Sequence, residues 1–213
     1  MYIVIEGIKG SGKSTLLNRV EESLRQEGVD LRILSPTKPS PGADPAEWLY
    51  GCTWLKHIDG FKERVYARRS NRAARAMDWN AELILGDRSL ITSYVTRWNR
   101  WSRPETCISR VDSMESAIRA PDHVLFLDLP LGKVCDRLSR RKRNYGHAEE
   151  TPHALRQARE AYEQIRKNPP PRLRDTQWHS LDADGTPEEV AERCLHLIVN
   201  IIQLEKTANN IAI

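Results

Sequence analysis

At 213 residues and a net charge of +4, the chain has length for one α/β domain with a real core and little for a second. No run of about 18 apolar residues occurs, which excludes a membrane-spanning helix, and the start enters an apolar segment directly, with no basic leader of the signal-peptide kind. Cys52, Cys107, Cys135 and Cys194 are scattered without a C-x-x-C pair, so zinc and disulfide frameworks are disfavoured and a reducing cytoplasm fits.

The first predicted strand, Tyr2–Ile5, runs through Glu6 into Gly7-Ile8-Lys9-Gly10-Ser11-Gly12-Lys13-Ser14-Thr15. This is a complete G-x-x-x-x-G-K-[ST] phosphate-binding loop, and a helix predicted over Ser14–Glu27 follows at once. Gly7, Gly10 and Gly12 let the backbone curl its N–H groups inward around a polyphosphate. The helix start adds its dipole and unpaired N–H groups. Lys13 is placed for the outer phosphates and Ser14 for Mg²⁺. The loop residues Gly7, Lys9, Gly10, Ser11, Gly12, Lys13, Ser14 and Thr15 are therefore candidate contacts for a nucleoside triphosphate.

A second strand is predicted over Leu31–Leu34, then a Pro-rich loop over Ser35–Gly42. A long helical stretch, Pro45–Asp78, carries Arg64, Arg68, Arg72 and Arg75 at spacings that put all four on one face. That face is either a solvated basic stripe or a place where Arg68 or Arg72 reaches an acceptor phosphate. The strand Glu82–Leu85 leads through Gly86 to Asp87-Arg88. At a strand end beside the phosphate loop, Asp87 is placed to hold Mg²⁺ or its water, and Arg88 to clamp a phosphate with two parallel hydrogen bonds. The plain alternative is a surface ion pair.

Within the helical patch of Ser89–Ile118, the run Arg97-Trp98-Asn99-Arg100-Trp101-Ser102-Arg103 interleaves cations with aromatics, as single-strand grooves do. Trp98 and Trp101 also have the spacing of a helical pair packed on a core. A strand at His123–Leu127 precedes a helix, Leu131–Arg143, that ends in Arg137, Arg140, Arg141, Lys142 and Arg143. With the turn Asn144–His147 as a mobile flap, this basic end suits a lid that excludes water and neutralises a transferring phosphoryl group. It equally suits a helix end balancing its dipole. Helices at Thr151–Lys167 and Thr186–Gln203 flank a last strand, Trp178–Leu181; Pro169–Pro171 ends the first of them, and the polar tail frays after Leu204.

Alternating strands and helices imply a parallel sheet with helices on both faces, and Gly7, Asp87 and Asp128 then collect on one rim. The expected organisation is a single three-layer α/β domain over residues 1–204, with a lid at about 138–152 and a C-terminal tail over 205–213.

Taken in order, Ile5-Glu6-Gly7 through Thr15, Gly86-Asp87-Arg88 with Thr92-Ser93, Pro121-Asp122 through Asp128-Leu129-Pro130, Ala158-Arg159-Glu160-Ala161-Tyr162, and Trp178 through Val190 resemble thymidylate kinase and its relatives among the nucleoside monophosphate kinases. The resemblance implies a P-loop kinase fold with a five-stranded parallel sheet and transfer of the γ-phosphoryl of ATP-Mg²⁺ to a pyrimidine nucleotide. By it, Lys13, Asp87, Arg88, Arg137 and Arg141 are the candidate catalytic set, and Ser14 and Asp87 the candidate Mg²⁺ ligands. Arg68, Arg72, Arg88, Ser93 and Arg97 are candidate acceptor contacts, and a homodimer is expected by analogy.

The departures bear on the acceptor. Lys9 stands where the family carries an acid that accepts from the acceptor's 3′-hydroxyl, and a cation cannot accept. Ser89 replaces an aromatic, Val95-Thr96-Arg97 replaces Ala-Tyr-Gln, and Tyr66, Asn71 and Arg72 come nearest to the family's Phe-x-x-x-Arg. A second reading therefore stands beside the first: a kinase acting on a hydroxymethylated pyrimidine within DNA. A third, a nucleotide-binding switch, lacks the N-K-x-D element such proteins use for guanine.

Overall fold

Five strands form within two residues of the predicted bounds: β1 Tyr2–Glu6, β2 Leu31–Leu34, β3 Leu83–Asp87, β4 His123–Asp128 and β5 Gln177–Asp182. They make one sheet in the order β2-β3-β1-β4-β5, every neighbouring pair parallel. The computed structural model describes residues 1–39, 45–52, 58–101, 103–141 and 149–211. β1 and β3 are buried along their whole length, which is why both read as continuous apolar runs rather than alternating ones.

The helices are α1 Lys13–Gln26, α2 Pro45–Cys52, α3 Asp59–Ala76, α4 Leu90–Arg97, α5 Pro104–Met114, α6 Leu131–Ser139, α7 Pro152–Lys167 and α8 Pro187–Ile211. The path crosses the sheet one way from β1 to β2 and the other way thereafter. Right-handed crossovers thus send α1 to one face and α2–α7 to the opposite one. α8 packs on α1 and completes the first face, while α4 packs on α5 and α7. The result is a three-layer P-loop kinase-like α/β fold.

Three boundaries differ from expectation. The stretch predicted as one helix over Pro45–Asp78 contains two, α2 and α3, with residues 53–57 outside the described set. α6 stops at Ser139, and the predicted flap Asn144–His147 lies outside the described residues. The tail does not fray at Leu204: α8 continues to Ile211, and Glu205 and Lys206 reach back to His123 at 3.6 Å and Glu82 at 3.2 Å.

The register sets the site. Ile5 lies opposite Asp87, Glu6 opposite Phe126, and Asp128 opposite Asp182. The carboxyl ends of β1, β3 and β4 therefore share one rim, where ligands of open α/β sheets bind.

Candidate active site

Gly7, Gly10 and Gly12 have φ values of 149°, 91° and 104°, a region L side chains rarely adopt. Space enforces the same choice at Gly10, where a Cβ would lie 2.9 Å from Val134 and Leu138 of α6. The loop is thus seated under α6. Gly12 caps α1 with no side-chain hydrogen bond, leaving first-turn N–H groups turned to the loop's concavity, as an anion site requires.

Lys13 is only 6% exposed. Its Nζ donates to Gly7 O at 2.6 Å and Ile8 O at 2.8 Å. Burial, reinforced by the Arg88 guanidinium and partly offset by Glu6 and Asp87, pulls its pKa down to about 7. A buried cation with its donors on loop carbonyls fits a group that exchanges those partners for phosphate oxygens. Ser14 and Thr15 follow it, both exposed.

Glu6, which is not among the candidate residues the sequence points to, organises the neighbouring corner. Its carboxylate is fully buried and accepts from Ser89 N (2.8 Å), Ser89 Oγ (2.9 Å), Thr92 Oγ1 (2.8 Å) and Tyr162 OH (2.7 Å). One side chain therefore ties β1 to the start of α4 and to α7. Ser89 also caps α4 by accepting from Ile91 N at 3.1 Å. Immediately before this clamp sits Arg88, the one non-glycine residue with positive φ (73°) among the described residues. A left-handed arginine costs about 1–2 kcal/mol, and it persists because the next residue is pinned on both its N–H and its hydroxyl. Asp87, buried at the end of β3, pairs with Lys38 at 3.2 Å.

The opposite wall of the cleft comes from α3, through Lys62, Tyr66 and Arg69. Arg69 donates to both oxygens of Glu47 (2.6 and 2.5 Å) and to Thr37 O (3.1 Å). Its guanidinium lies over the rings of Tyr66 and Tyr50, 4.9 and 5.4 Å from their centroids. Lys62 and the loop residue Lys9 meet the same carboxylate, Glu149, at 3.1 and 3.2 Å, and Lys9 also pairs with Glu150 at 3.4 Å. Arg137 of α6 donates to Ser11 O (3.2 Å) and Ala183 O (3.0 Å). Arg141 is exposed, and its charge helps to depress the Lys13 pKa. The loop, Asp87, Arg88, Arg137 and Arg141 are thus brought together.

Four sequence-based candidates are not. Arg68 and Arg72 are exposed with Arg64 and Arg75 along an open groove beside Met114; the face that meets α2 carries Arg69 instead, because the small residues Ala67, Ser70 and Ala74 set the buried side. Arg97 is buried against Glu115 at 2.8 Å, and Ser93 is buried within α4. The cation–aromatic run is likewise structural. Trp98 and Trp101 pack on the core, and Arg100 pairs with buried Glu63 at 2.7 Å while Arg100 and Arg110 both lie over Trp101.

The chain is similar over nearly its whole length to curated thymidylate kinases. It is 28% identical over 204 residues to that of Leptospira borgpetersenii, covering 93% of each chain. It is 25% identical over 215 residues to a probable thymidylate kinase of Thermoplasma acidophilum, covering 97% of this chain and 100% of that one. A probable thymidylate kinase of Methanobrevibacter smithii is 28% identical over 148 residues, 66% of this chain and 70% of that one. No family model matches. With a glycine-built phosphate loop under α6, a buried loop lysine, and Asp-Arg at the adjacent strand end, these similarities support a thymidylate kinase-like P-loop kinase, an ATP-dependent phosphotransferase.

Proposed function

We propose that this kinase moves the γ-phosphoryl of ATP, with Mg²⁺, to a thymidylate-like pyrimidine nucleotide. The observation that carries the reading is the meeting of Lys13, Asp87 and Arg88 at the ends of two adjacent strands, with Ile5 and Asp87 in register. The relatives are named for thymidylate, which supports the pyrimidine acceptor.

In this reading the loop N–H groups and Lys13 hold the triphosphate. No cluster of three or more His, Cys, Asp or Glu side chains fit to bind a metal exists among the described residues. Ser14 and Asp87 are a donor set suited to Mg²⁺, which keeps most of its ligands as water and phosphate oxygen. The ion neutralises charge on the phosphates when bound. Arg88 orients the acceptor so that its oxygen faces the γ-phosphorus; the new P–O bond forms as the bond to the bridging oxygen breaks. Arg137 and Arg141 lie on the side where charge builds on the leaving phosphate. Positioning and neutralisation suffice, with no covalent intermediate on the protein.

A second reading keeps the same chemistry on a hydroxymethylated pyrimidine within DNA. Lys9 supports it, since a cation held between Glu149 and Glu150 suits a neighbouring phosphate better than a free hydroxyl donor. The discriminating assay follows labelled γ-phosphate to free deoxynucleoside monophosphates and, in parallel, to DNA with ordinary or hydroxymethylated pyrimidines. Label on free thymidylate supports the first reading, and label on modified DNA alone replaces it with the second. Transfer to neither, with ATP merely hydrolysed, removes both.

Two further outcomes are expected. Arg88→Ala raises the acceptor KM at least tenfold with little change in ATP affinity, because a bidentate phosphate contact is lost; an effect confined to ATP would contradict its assignment. Nucleotide binding at pH 8 takes up close to one proton. Lys13, with its pKa near 7, is mostly neutral there, and anionic oxygens pull the pKa back up. Affinity therefore falls as pH rises above about 7, by up to roughly tenfold per unit. Calorimetry in two buffers of different ionisation enthalpy reads this directly, and identical heats in both would show that Lys13 does not titrate.

A further inference from the structure

Toward the amino ends of the strands, away from the cleft, two histidines meet across β4 and β5. His123 opens β4 and is 3% exposed, and His179 is half-buried on β5. Leu125 and His179 are in register, so His123, two residues before Leu125, shares a face of the sheet with His179. His123 Nδ1 and His179 Nε2 face each other at 3.2 Å. The other nitrogen of His123, Nε2, lies 3.6 Å from Glu205 Oε1 on α8. That end of α8 has few other holds. Ile201 is buried, but past Ile202 the residues Gln203, Leu204, Lys206 and Thr207 are exposed, and Glu205 is half-buried. The pair of Lys206 with Glu82, 3.2 Å long, is open to water on both sides and holds little.

A nitrogen facing a nitrogen has room for one proton between them, not two. When the pair gains one proton, His123 donates from Nδ1 to the lone pair of His179 Nε2 and turns a charged N–H toward Glu205. Without that proton Glu205 faces a neutral ring. With a second, N–H meets N–H and two cations repel. Around the rings, β1 and β5 set the uncharged Ile3 and Gln177 opposite His123. Asp122 turns to β1 and accepts from Tyr2 N at 2.7 Å. Past Lys13, the buried residues of α1 are Leu16, Leu17, Val20 and Leu24, and the Met1 amino group donates to Glu82 O at 3.3 Å.

We propose that the His123–His179 pair is a one-proton latch for the end of α8, opened by loss of that proton or by gain of a second. Burial, then the charge of His123, holds the His179 pKa below its ordinary value. Its share of the stability is therefore present above the ordinary histidine range and lost as pH falls below it. The Glu205 contact runs the other way, since it needs the proton and fades as pH rises. The latch is remote from the cleft, so it does not depend on which acceptor the kinase uses.

The test is hydrogen exchange of the full chain, read as protection factors of the amides of residues 203–207 from about pH 5 to about pH 9. NMR of the ring protons follows the two histidines in parallel. Protection peaks at an intermediate pH, and the rings titrate in two steps more than about one pH unit apart, as coupled sites do. Glu205→Gln lowers the peak about two- to fivefold, the range for a half-exposed ion pair, and removes the decline on the alkaline side. His179→Gln leaves His123 Nδ1 an acceptor that takes no proton, so the acid-side loss disappears while the peak remains. Both side chains are only half-buried, and thermal melting confirms that the variants fold. Protection independent of pH in the native chain overturns the proposal, as does an acid-side loss that persists in His179→Gln. Loss of protection throughout β4 and β5 at the same pH overturns it too, because the opening would then be global rather than at the helix end.

Discussion

Lys13→Ala lowers kcat by about 10³-fold or more while the melting temperature stays within a few degrees of the native value. The rate loss follows from the location of the charge. A single preorganised donor at a developing oxyanion is worth about 10²–10³ in rate, and Lys13 supplies a full charge from a site only 6% exposed. The stability result follows from the same burial. Keeping an ammonium out of water is itself unfavourable, as its depressed pKa of about 7 records, so its removal relieves a cost even as the bonds to Gly7 O and Ile8 O disappear. Lys13→Met, which fills the space without the charge, holds the melting temperature at or above native. Steady-state phosphotransfer beside a thermal melt checks both halves. Retained turnover would remove the loop from the mechanism, and collapse of both variants would make Lys13 a structural residue.

Glu6→Ala is expected to damage the protein more broadly. Four donors, one of them a backbone N–H that cannot turn away, lose their acceptor in a fully buried corner. Removing one partner from a buried charged network costs about 3–5 kcal/mol, and a chain of this size then melts roughly 10 °C lower. Glu6→Gln separates architecture from charge. Its oxygen still takes both bonds from Ser89, and the Thr92 and Tyr162 hydroxyls rotate to accept from its amide, so most of the stability returns. The negative charge does not return. Glu6 raises the Lys13 pKa, so the Gln variant lowers that pKa further and moves proton uptake on nucleotide binding to lower pH. Equal melting temperatures for the Ala and Gln variants would show that the hydrogen bonds carry none of the stability. An unmoved proton-uptake profile in Gln would show that Glu6 does not act on Lys13.

How much of this could be read beforehand depended on how local each signal is. The phosphate loop is legible because all its parts lie within nine consecutive residues between a strand and a helix. The central strands β1, β3 and β4 were equally plain, since a parallel sheet covered on both faces writes its middle strands as apolar runs. The side of α3 that faces the cleft was not. On α3, the set Arg64, Arg68, Arg72 and the set Lys62, Tyr66, Arg69 are both helically spaced, and only the packing of α3 on α5 and α2 decides which one meets the cleft. Small residues at Ala67, Ser70 and Ala74 were the available hint of the buried side. Glu6 left a clearer sign: an acid closing a wholly apolar strand has no reason to be there unless donors from elsewhere meet it. Those donors, Ser89, Thr92 and Tyr162, lie 83 to 156 residues away. Arg97 and Arg100 misled for a related reason, because their partners Glu115 and Glu63 lie outside their own helices, 18 and 37 residues away.

The strand order carries a consequence for how the chain acquires its shape. β1 precedes both of its pairing partners in the chain and is the central strand of the sheet, flanked by β3 and β4. Its pairing partners begin at Ile84 on one side and His123 on the other. Until those segments leave the ribosome, an apolar strand with two open edges and an unclosed loop of glycines has nothing native to bind. Non-local parallel pairing of this kind slows folding and lengthens exposure to aggregation. The loop residues proposed to hold the phosphates thus wait long for their final neighbours, and refolding from denaturant is expected to regain nucleotide binding only in its last kinetic phase.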